Sequence, residues 1–135
     1  MNGSVEVFPT ADDLVLAAAE RIFSFIVEGV KRNGRVMIAL SGGSTPRNVY
    51  KLLGSTEFNA RVPWETVHLF WSDERCVPPD HLESNFRMVK EALLDCIDIS
   101  PSNVHRIQAE RSPSDAAMAY EKELKKVLQT QYLLK

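Results

Sequence analysis

The stretch Val36-Met37-Ile38-Ala39-Leu40-Ser41-Gly42-Gly43-Ser44-Thr45-Pro46 constrains the fold more than any other part of the chain. Val36 to Leu40 is a short, unbroken apolar run, the pattern of a parallel strand covered on both faces. Gly42 and Gly43 open backbone angles that a side chain would block, and they let a ligand approach the main chain closely. Thr45 suits an N-cap and Pro46 a first helical position, where its missing N–H has no intrahelical partner to lose. The stretch therefore reads as buried strand, glycine turn and helix start, with free N–H groups and two hydroxyls at the helix N-terminus. Such a terminus binds anions, phosphate above all, through aligned amide dipoles. It is also how any α/β domain turns from strand to helix, and both readings stand. No Gly-Lys-Ser/Thr follows, which excludes a Walker loop, and without G-x-G-x-x-G little supports a dinucleotide site.

A chain of 135 residues is one domain by length and large enough to bury a core. Its net charge of -2 supplies no basic field, which argues against a nucleic-acid partner. No apolar run approaches the roughly 20 residues of a membrane span. Met1 to Thr10 lacks the charged start and apolar core of a signal peptide. The expectation is no membrane partner and a cytoplasmic location. Cys76 and Cys96 have no C-x-x-C spacing and read as free thiols of a reducing compartment. Metal-ligand spacings, internal repeats and a Gly-x-Ser-x-Gly elbow are absent.

In chain order, Val5 to Phe8 reads as a short first strand. Thr10 with Asp13 forms a capping box that opens a long helix. Leu14, Val15, Ala18, Ala19, Ile22, Phe23, Ile26 and Val30 line one face of it, and Asn33-Gly34 stops it. The helix begun at Pro46 ends at Gly54, and Ser55 to Pro63 is a polar connection. Val67-His68-Leu69-Phe70-Trp71 is a second buried strand, parallel to the first because a crossover separates them. His68 within it reads as a core or sheet-edge residue. Ser84-Asn85 caps a further helix, Val104 to Ile107 is a short strand whose His105 is structural or functional, and Ser112 to Asp115 starts a last helix.

Ser72-Asp73-Glu74-Arg75 follows the second strand directly. Ligand sites in open parallel sheets lie beyond the carboxyl ends of strands. With the two strands adjacent, the glycine turn and Asp73-Glu74-Arg75 face one crevice. There the arginine suits a phosphate or carboxylate oxygen, and the carboxylates suit a sugar hydroxyl or a proton. A solvated, charged turn is the alternative.

Ser41-Gly42-Gly43-Ser44-Thr45-Pro46, then His68 to Pro78, then His81 to Arg87 with Ser84-Asn85, resemble the glucosamine-6-phosphate isomerase/6-phosphogluconolactonase family, and its lactonases in particular. The resemblance runs from about Val5 to about Leu128. It implies a three-layer, mostly parallel Rossmann-like sheet with helices on both faces, incomplete at the C-terminus. It also implies a hydrolase that opens 6-phospho-D-glucono-lactone to 6-phosphogluconate in the pentose phosphate pathway, with neither metal nor organic cofactor. The related deaminases share the Gly-Ser-Thr-Pro loop but carry Asp-Glu-Tyr at the place of Asp73-Glu74-Arg75. Arg75 and Asn85 therefore favour the lactonase.

The family pattern makes Gly42, Gly43, Ser44 and Thr45 the loop that receives the phosphorylated sugar. Asp73 and Arg75 line the same pocket, with Arg75 near the phosphate or the reacting carboxyl end. Ser41, Glu74, Ser84 and Asn85 support the loop and the helix start. In the family a further strand and an Asp-Gly-His segment follow the last helix, and that histidine is the expected base. Lys135 precedes any such segment, and none of His68, His81 and His105 matches its position. The expectation is a single α/β phosphosugar-binding domain over residues 1–135, truncated relative to the family, with an apolar edge strand and an uncovered helix face. An amino-sugar-phosphate deaminase or isomerase and a non-catalytic sugar-phosphate-binding fragment are the alternatives.

Overall fold

The computed structural model describes residues 3–132. Five α-helices and three strands follow in the order α1 (Ala11–Asn33), β1 (Val36–Leu40), α2 (Ser44–Leu53), α3 (Thr56–Asn59), β2 (Val67–Trp71), α4 (Asn85–Ala92), β3 (Val104–His105) and α5 (Pro113–Tyr132), with short 3-10 turns between them. The capping pair acts as expected at α1: the Thr10 hydroxyl accepts from the Asp13 N–H at 3.1 Å and donates to Asp13 Oδ2 at 2.7 Å. Asp12 and Asp13 in the first turn, with Lys31 and Arg32 in the last, complement the helix dipole. Gly34 closes the helix by donating to the Val30 carbonyl at 2.8 Å.

The three strands are parallel, in the order β1-β2-β3. Their register sets Val36, Ile38, Leu40, Val67, Leu69, Trp71 and Val104 on one face. These pack with Ala19 and Ile26 of α1, Val49 and Leu53 of α2, and Val89 and Ala92 of α4 into one apolar core. Met37, Ala39, His68, Phe70 and His105 fall on the opposite face, where α5 lies. Glu123 of α5 meets His105 Nδ1 at 2.8 Å, and Arg35 donates to the Val127 carbonyl at 3.3 Å. Helices thus cover both faces, although the second only in part: Phe70 is buried while Ala39 is exposed.

Two tyrosine hydroxyls continue the sheet's hydrogen bonding past its strands. Tyr50 accepts from the Ser41 N–H at 2.9 Å and donates to the Ser41 carbonyl at 3.0 Å. Tyr120 does the same at Trp71, at 2.8 and 2.9 Å, where the two-residue β3 is already spent. Each hydroxyl takes the place of a neighbouring strand and satisfies a backbone N–H and C=O pair.

Three local expectations are corrected. Val5 to Phe8 is not a strand: it has no sheet partner among the described residues, and Val5 and Val7 are 93% and 86% exposed. Ser55 to Pro63 is not merely polar, because α3 buries Phe58 completely. The Arg61 guanidinium stacks 4.2 Å over Phe23 and 5.3 Å over Phe58, tying α3 to α1. Helix α2 starts earlier than read. Gly43 rather than Thr45 is its N-cap, and Pro46 is its third residue, still within the turn whose N–H groups lack intrahelical partners. No described helix is long and apolar enough to cross a membrane.

Candidate functional site

The carboxyl ends of β1 and β2 lie side by side, with Leu40 opposite Trp71 and the Ser72 N–H on the Leu40 carbonyl at 2.9 Å. The turns that follow the two strands are therefore neighbours. On the β1 side, Gly43 sits at φ 110° and ψ 166°, a conformation open essentially to glycine alone. It aims the chain into α2 with no side-chain cap, and the N–H groups of Ser44 and Thr45 have no partner among the described residues at an exposed helix N-terminus. Ser41 Oγ lies 3.3 Å from Ser72 Oγ, which links the roots of the two turns.

On the β2 side, the Glu74 carboxylate organises the turn. It accepts from the N–H groups of Arg75 at 2.8 Å, Asn85 at 2.7 Å and Phe86 at 2.9 Å, and from the Ser84 hydroxyl at 3.1 Å. A carboxylate at the start of α4 satisfies that helix's orphan donors and favours its dipole. Ser84 is also the N-cap of α4, accepting from the Arg87 N–H at 3.1 Å. Held in this way, the buried Asn85 side chain donates to the Asp73 carbonyl at 3.2 Å and to Asp73 Oδ1 at 3.3 Å. Its other side lies against Gly42: a Cβ there would stand 2.1 Å from Asn85 Oδ1 and 2.6 Å from its Cγ. Gly42 is thus a glycine because Asn85 occupies the space of a side chain. Asn85 joins the glycine turn to Asp73, and Glu74 joins Asp73-Glu74-Arg75 to α4.

Of the residues singled out by sequence, Ser41, Gly42, Asp73, Glu74, Ser84 and Asn85 form this connected network. Gly43, Ser44 and Thr45 continue it as the exposed loop. Arg75 is anchored through its backbone only. Its exposed guanidinium makes no hydrogen bond or ion pair among the described residues. Sequence reasoning passed over Arg47, an exposed cation in the first turn of α2, likewise unpaired among the described residues. The available signal was a basic residue placed against the helix dipole, where an anion would offset it. Arg106 is not free in this sense. Glu110 holds it through two bonds of 2.9 and 2.8 Å, and those bonds push the Glu110 carboxyl down to about 2. Behind the 73–76 turn, a cavity of about 430 Å³ lined in part by Asp73, Glu74, Cys76 and Leu124 separates the turn from α5.

The histidines lie elsewhere. His68 Nδ1 stands 3.1 Å from His105 Nε2 on the second sheet face, and His105 stacks on Phe70 at 4.4 Å. Burial, then the His105 ring and the Arg35 cation, push the His68 pKa down. His81 Nδ1 accepts from the Glu83 N–H in its own loop. His68 and His105 are thus partners of each other, and His105 is also a partner of Glu123 on α5. Among the described residues, no three His, Cys, Asp or Glu side chains converge as metal ligands, and Cys76 and Cys96 are free thiols.

Residues 9–133 match the family described as glucosamine-6-phosphate isomerases/6-phosphogluconolactonase. A 6-phosphogluconolactonase of a Nostoc strain is 38% identical over 125 residues, covering 92% of this chain and 50% of the relative. One of Treponema pallidum is 40% identical over 108 residues, covering 80% of this chain and 44% of the relative. Among solved structures, the 6-phosphogluconolactonase of Thermotoga maritima superposes with a TM-score of 0.76 at 33% identity, covering 84% of this chain and 50% of that one. That of Trypanosoma cruzi gives 0.80 at 29% identity, covering 94% and 51%. The chain spans about half the length of the curated relatives it matches. With its parallel sheet, glycine turn and Asn85-bridged network, this chain belongs to the glucosamine-6-phosphate isomerase/6-phosphogluconolactonase family.

Proposed function

We propose that this chain forms the phosphosugar-binding half of a 6-phosphogluconolactonase domain, acting in the hydrolysis of 6-phospho-D-glucono-lactone to 6-phosphogluconate. The observation that carries the reading is the Asn85 bridge, which seats the glycine turn and Asp73-Glu74-Arg75 together at the ends of adjacent strands. In this reading the Ser44 and Thr45 N–H groups donate to phosphate oxygens, and the α2 dipole adds to their attraction. Arg75 and Arg47, both without partners among the described residues, supply positive charge to the phosphate or to the carboxyl end that forms. Asp73 accepts from a sugar hydroxyl, while Ser41, Glu74, Ser84 and Asn85 hold the turns in place.

Lactone opening also needs a base for water and donors for the developing oxyanion. None of the three histidines makes a described contact with the glycine turn. That observation favours a second reading, in which residues 1–135 bind the phosphosugar without turning it over. The initial rate of lactone opening, measured against a matched blank, separates the two. Acceleration proportional to protein supports hydrolysis by this chain, and saturable 6-phosphogluconate binding without acceleration supports the binding half alone. Ammonia release from glucosamine 6-phosphate would overturn both in favour of a deaminase.

A further inference from the structure

On the second sheet face two histidines meet head to head. His68 Nδ1 on β2 stands 3.1 Å from His105 Nε2 on β3, with the ring planes 15° apart and the ring centroids separated by 5.4 Å. The centroid separation exceeds the nitrogen separation by the two ring radii, so the facing nitrogens lie on the line between the rings, with room there for one proton. His105 is fixed on its other sides: its ring stacks on Phe70 at 4.4 Å, and its Nδ1 lies 2.8 Å from Glu123 Oε1 of α5. Its side chain is 6% exposed, whereas His68 is half-buried. An ionised carboxylate only accepts, so Glu123 assigns the Nδ1 proton to His105 and leaves its Nε2 as an acceptor. In the neutral pair His68 Nδ1 is then the donor, and His68 Nε2 carries no proton. The other charged group facing the pair is Arg35, just ahead of β1. Arg106, next in sequence to His105, is committed to Glu110, and Tyr120 of α5 to Trp71. Tyr120 and Glu123 lie one helical turn apart, so α5 grips the end of β2 and the end of β3 at once.

We propose that the His68–His105 pair is a pH-operated joint between β2 and β3, which keeps its hydrogen bonds with one added proton and opens with a second. The inference rests on neither the family nor the proposed activity. The first proton enters at His68 Nε2 while the central proton crosses to His105 Nε2. Every hydrogen bond survives, the central one reversed, and the imidazolium charge lies against the Glu123 carboxylate. The second proton goes to His68 Nδ1. Two N–H groups then point at each other across 3.1 Å without an acceptor, and two imidazolium charges add to that of Arg35. Burial, the His105 ring and the Arg35 cation already push the His68 pKa down. Phe70 and Glu123 hold His105, so the half-buried His68 gives way. Beyond this joint β3 pairs with β2 at two register positions, Val104 against Leu69 and His105 against Phe70. Opening the joint therefore loosens β3 and α5 from β2 and weakens the grip of Tyr120 on Trp71, directly before Ser72 and Asp73.

Histidine-resolved NMR between about pH 8 and about pH 5, with amide exchange corrected for its intrinsic pH dependence, tests this. Expected are Nδ1–H tautomers on both neutral rings, two titration steps each seen at both rings, and a fall of about tenfold in Trp71 amide protection at the second step. Leu53, buried on the other face, keeps its protection, which separates opening of the joint from unfolding. His68→Asn places an amide donor against His105 Nε2 and takes no proton, so Trp71 protection then changes by less than about twofold over the same range. An Nε2–H tautomer on neutral His68, two rings that titrate independently, Trp71 protection unchanged across both steps, or the same fall in His68→Asn would overturn the proposal. If that variant does not fold, the tautomers and the coupling of the two steps in the parent chain decide by the same criteria.

Discussion

Gly42→Ala puts the Asn85 bridge to its most direct test. The new methyl would lie 2.1 Å from Asn85 Oδ1 and 2.6 Å from Cγ, so the amide group as a whole must move. Asn85 is 5% exposed and has little free volume to enter. Displacing it breaks its bonds of 3.2 and 3.3 Å to Asp73, each worth about 1 kcal/mol at most at that length. Overpacking adds about 1–3 kcal/mol. The sum is a loss of about 1–5 kcal/mol, or about 4–20 °C in Tm at roughly 4 °C per kcal/mol. Urea unfolding followed by the fluorescence of the buried Trp64 and Trp71 measures it. In an Asn85→Ala background the space is vacated, and Gly42→Ala should then cost under about 0.5 kcal/mol, a coupling that a double-mutant cycle reads directly. Equal costs in both backgrounds, or a cost below about 0.5 kcal/mol in the parent chain, would refute the reasoning.

Tyr50→Phe and Tyr120→Phe each strip two bonds from a backbone pair, and each should lower stability by about 1–3 kcal/mol in urea unfolding, with no effect expected if solvent replaces the hydroxyl freely. Burial, His105 and Arg35 favour neutral His68 in the folded chain, so its folded pKa lies below 6.5. Its contribution to stability is complete above 6.5 and is lost as pH falls from there through the folded value; an NMR titration midpoint at or above 6.5 would contradict this. Glu74→Ala leaves the N–H groups of Asn85 and Phe86 and the Ser84 hydroxyl without their acceptor, and should cost about 2 kcal/mol or more, whereas an exposed turn would lose less than about 0.5.

What was legible in the sequence was local. The run from Val36 to Leu40 and the run from Val67 to Trp71 became strands with the bounds read for them, because unbroken apolar runs beside turn residues have few other solutions. Thr10, Ser84 and Gly34 were legible as helix boundaries for the same reason. What escaped depended on distant residues. Val5 to Phe8 has strand composition, yet strands need neighbours, and none is present among the described residues. Phe58 could not be recognised as core without Arg61 and Phe23 stacked around it. Thr45 is a better cap former than Gly43, but the sharp exit from β1 requires a positive φ, and that overrides cap preference. At the site, the residue types were legible and the Asn85-to-Gly42 contact was not, because it joins turns brought together only by the pairing of β1 with β2.

The central claim is that the glycine turn and Arg75 receive a phosphorylated sugar. Calorimetric titration with 6-phosphogluconate, using gluconate as the control, tests it most directly. The account predicts saturable binding that requires the phosphate and weakens about tenfold or more in Arg75→Ala, whose side chain is exposed and has no partner to lose among the described residues. Binding of gluconate with equal affinity, or no saturable binding of 6-phosphogluconate, would contradict it.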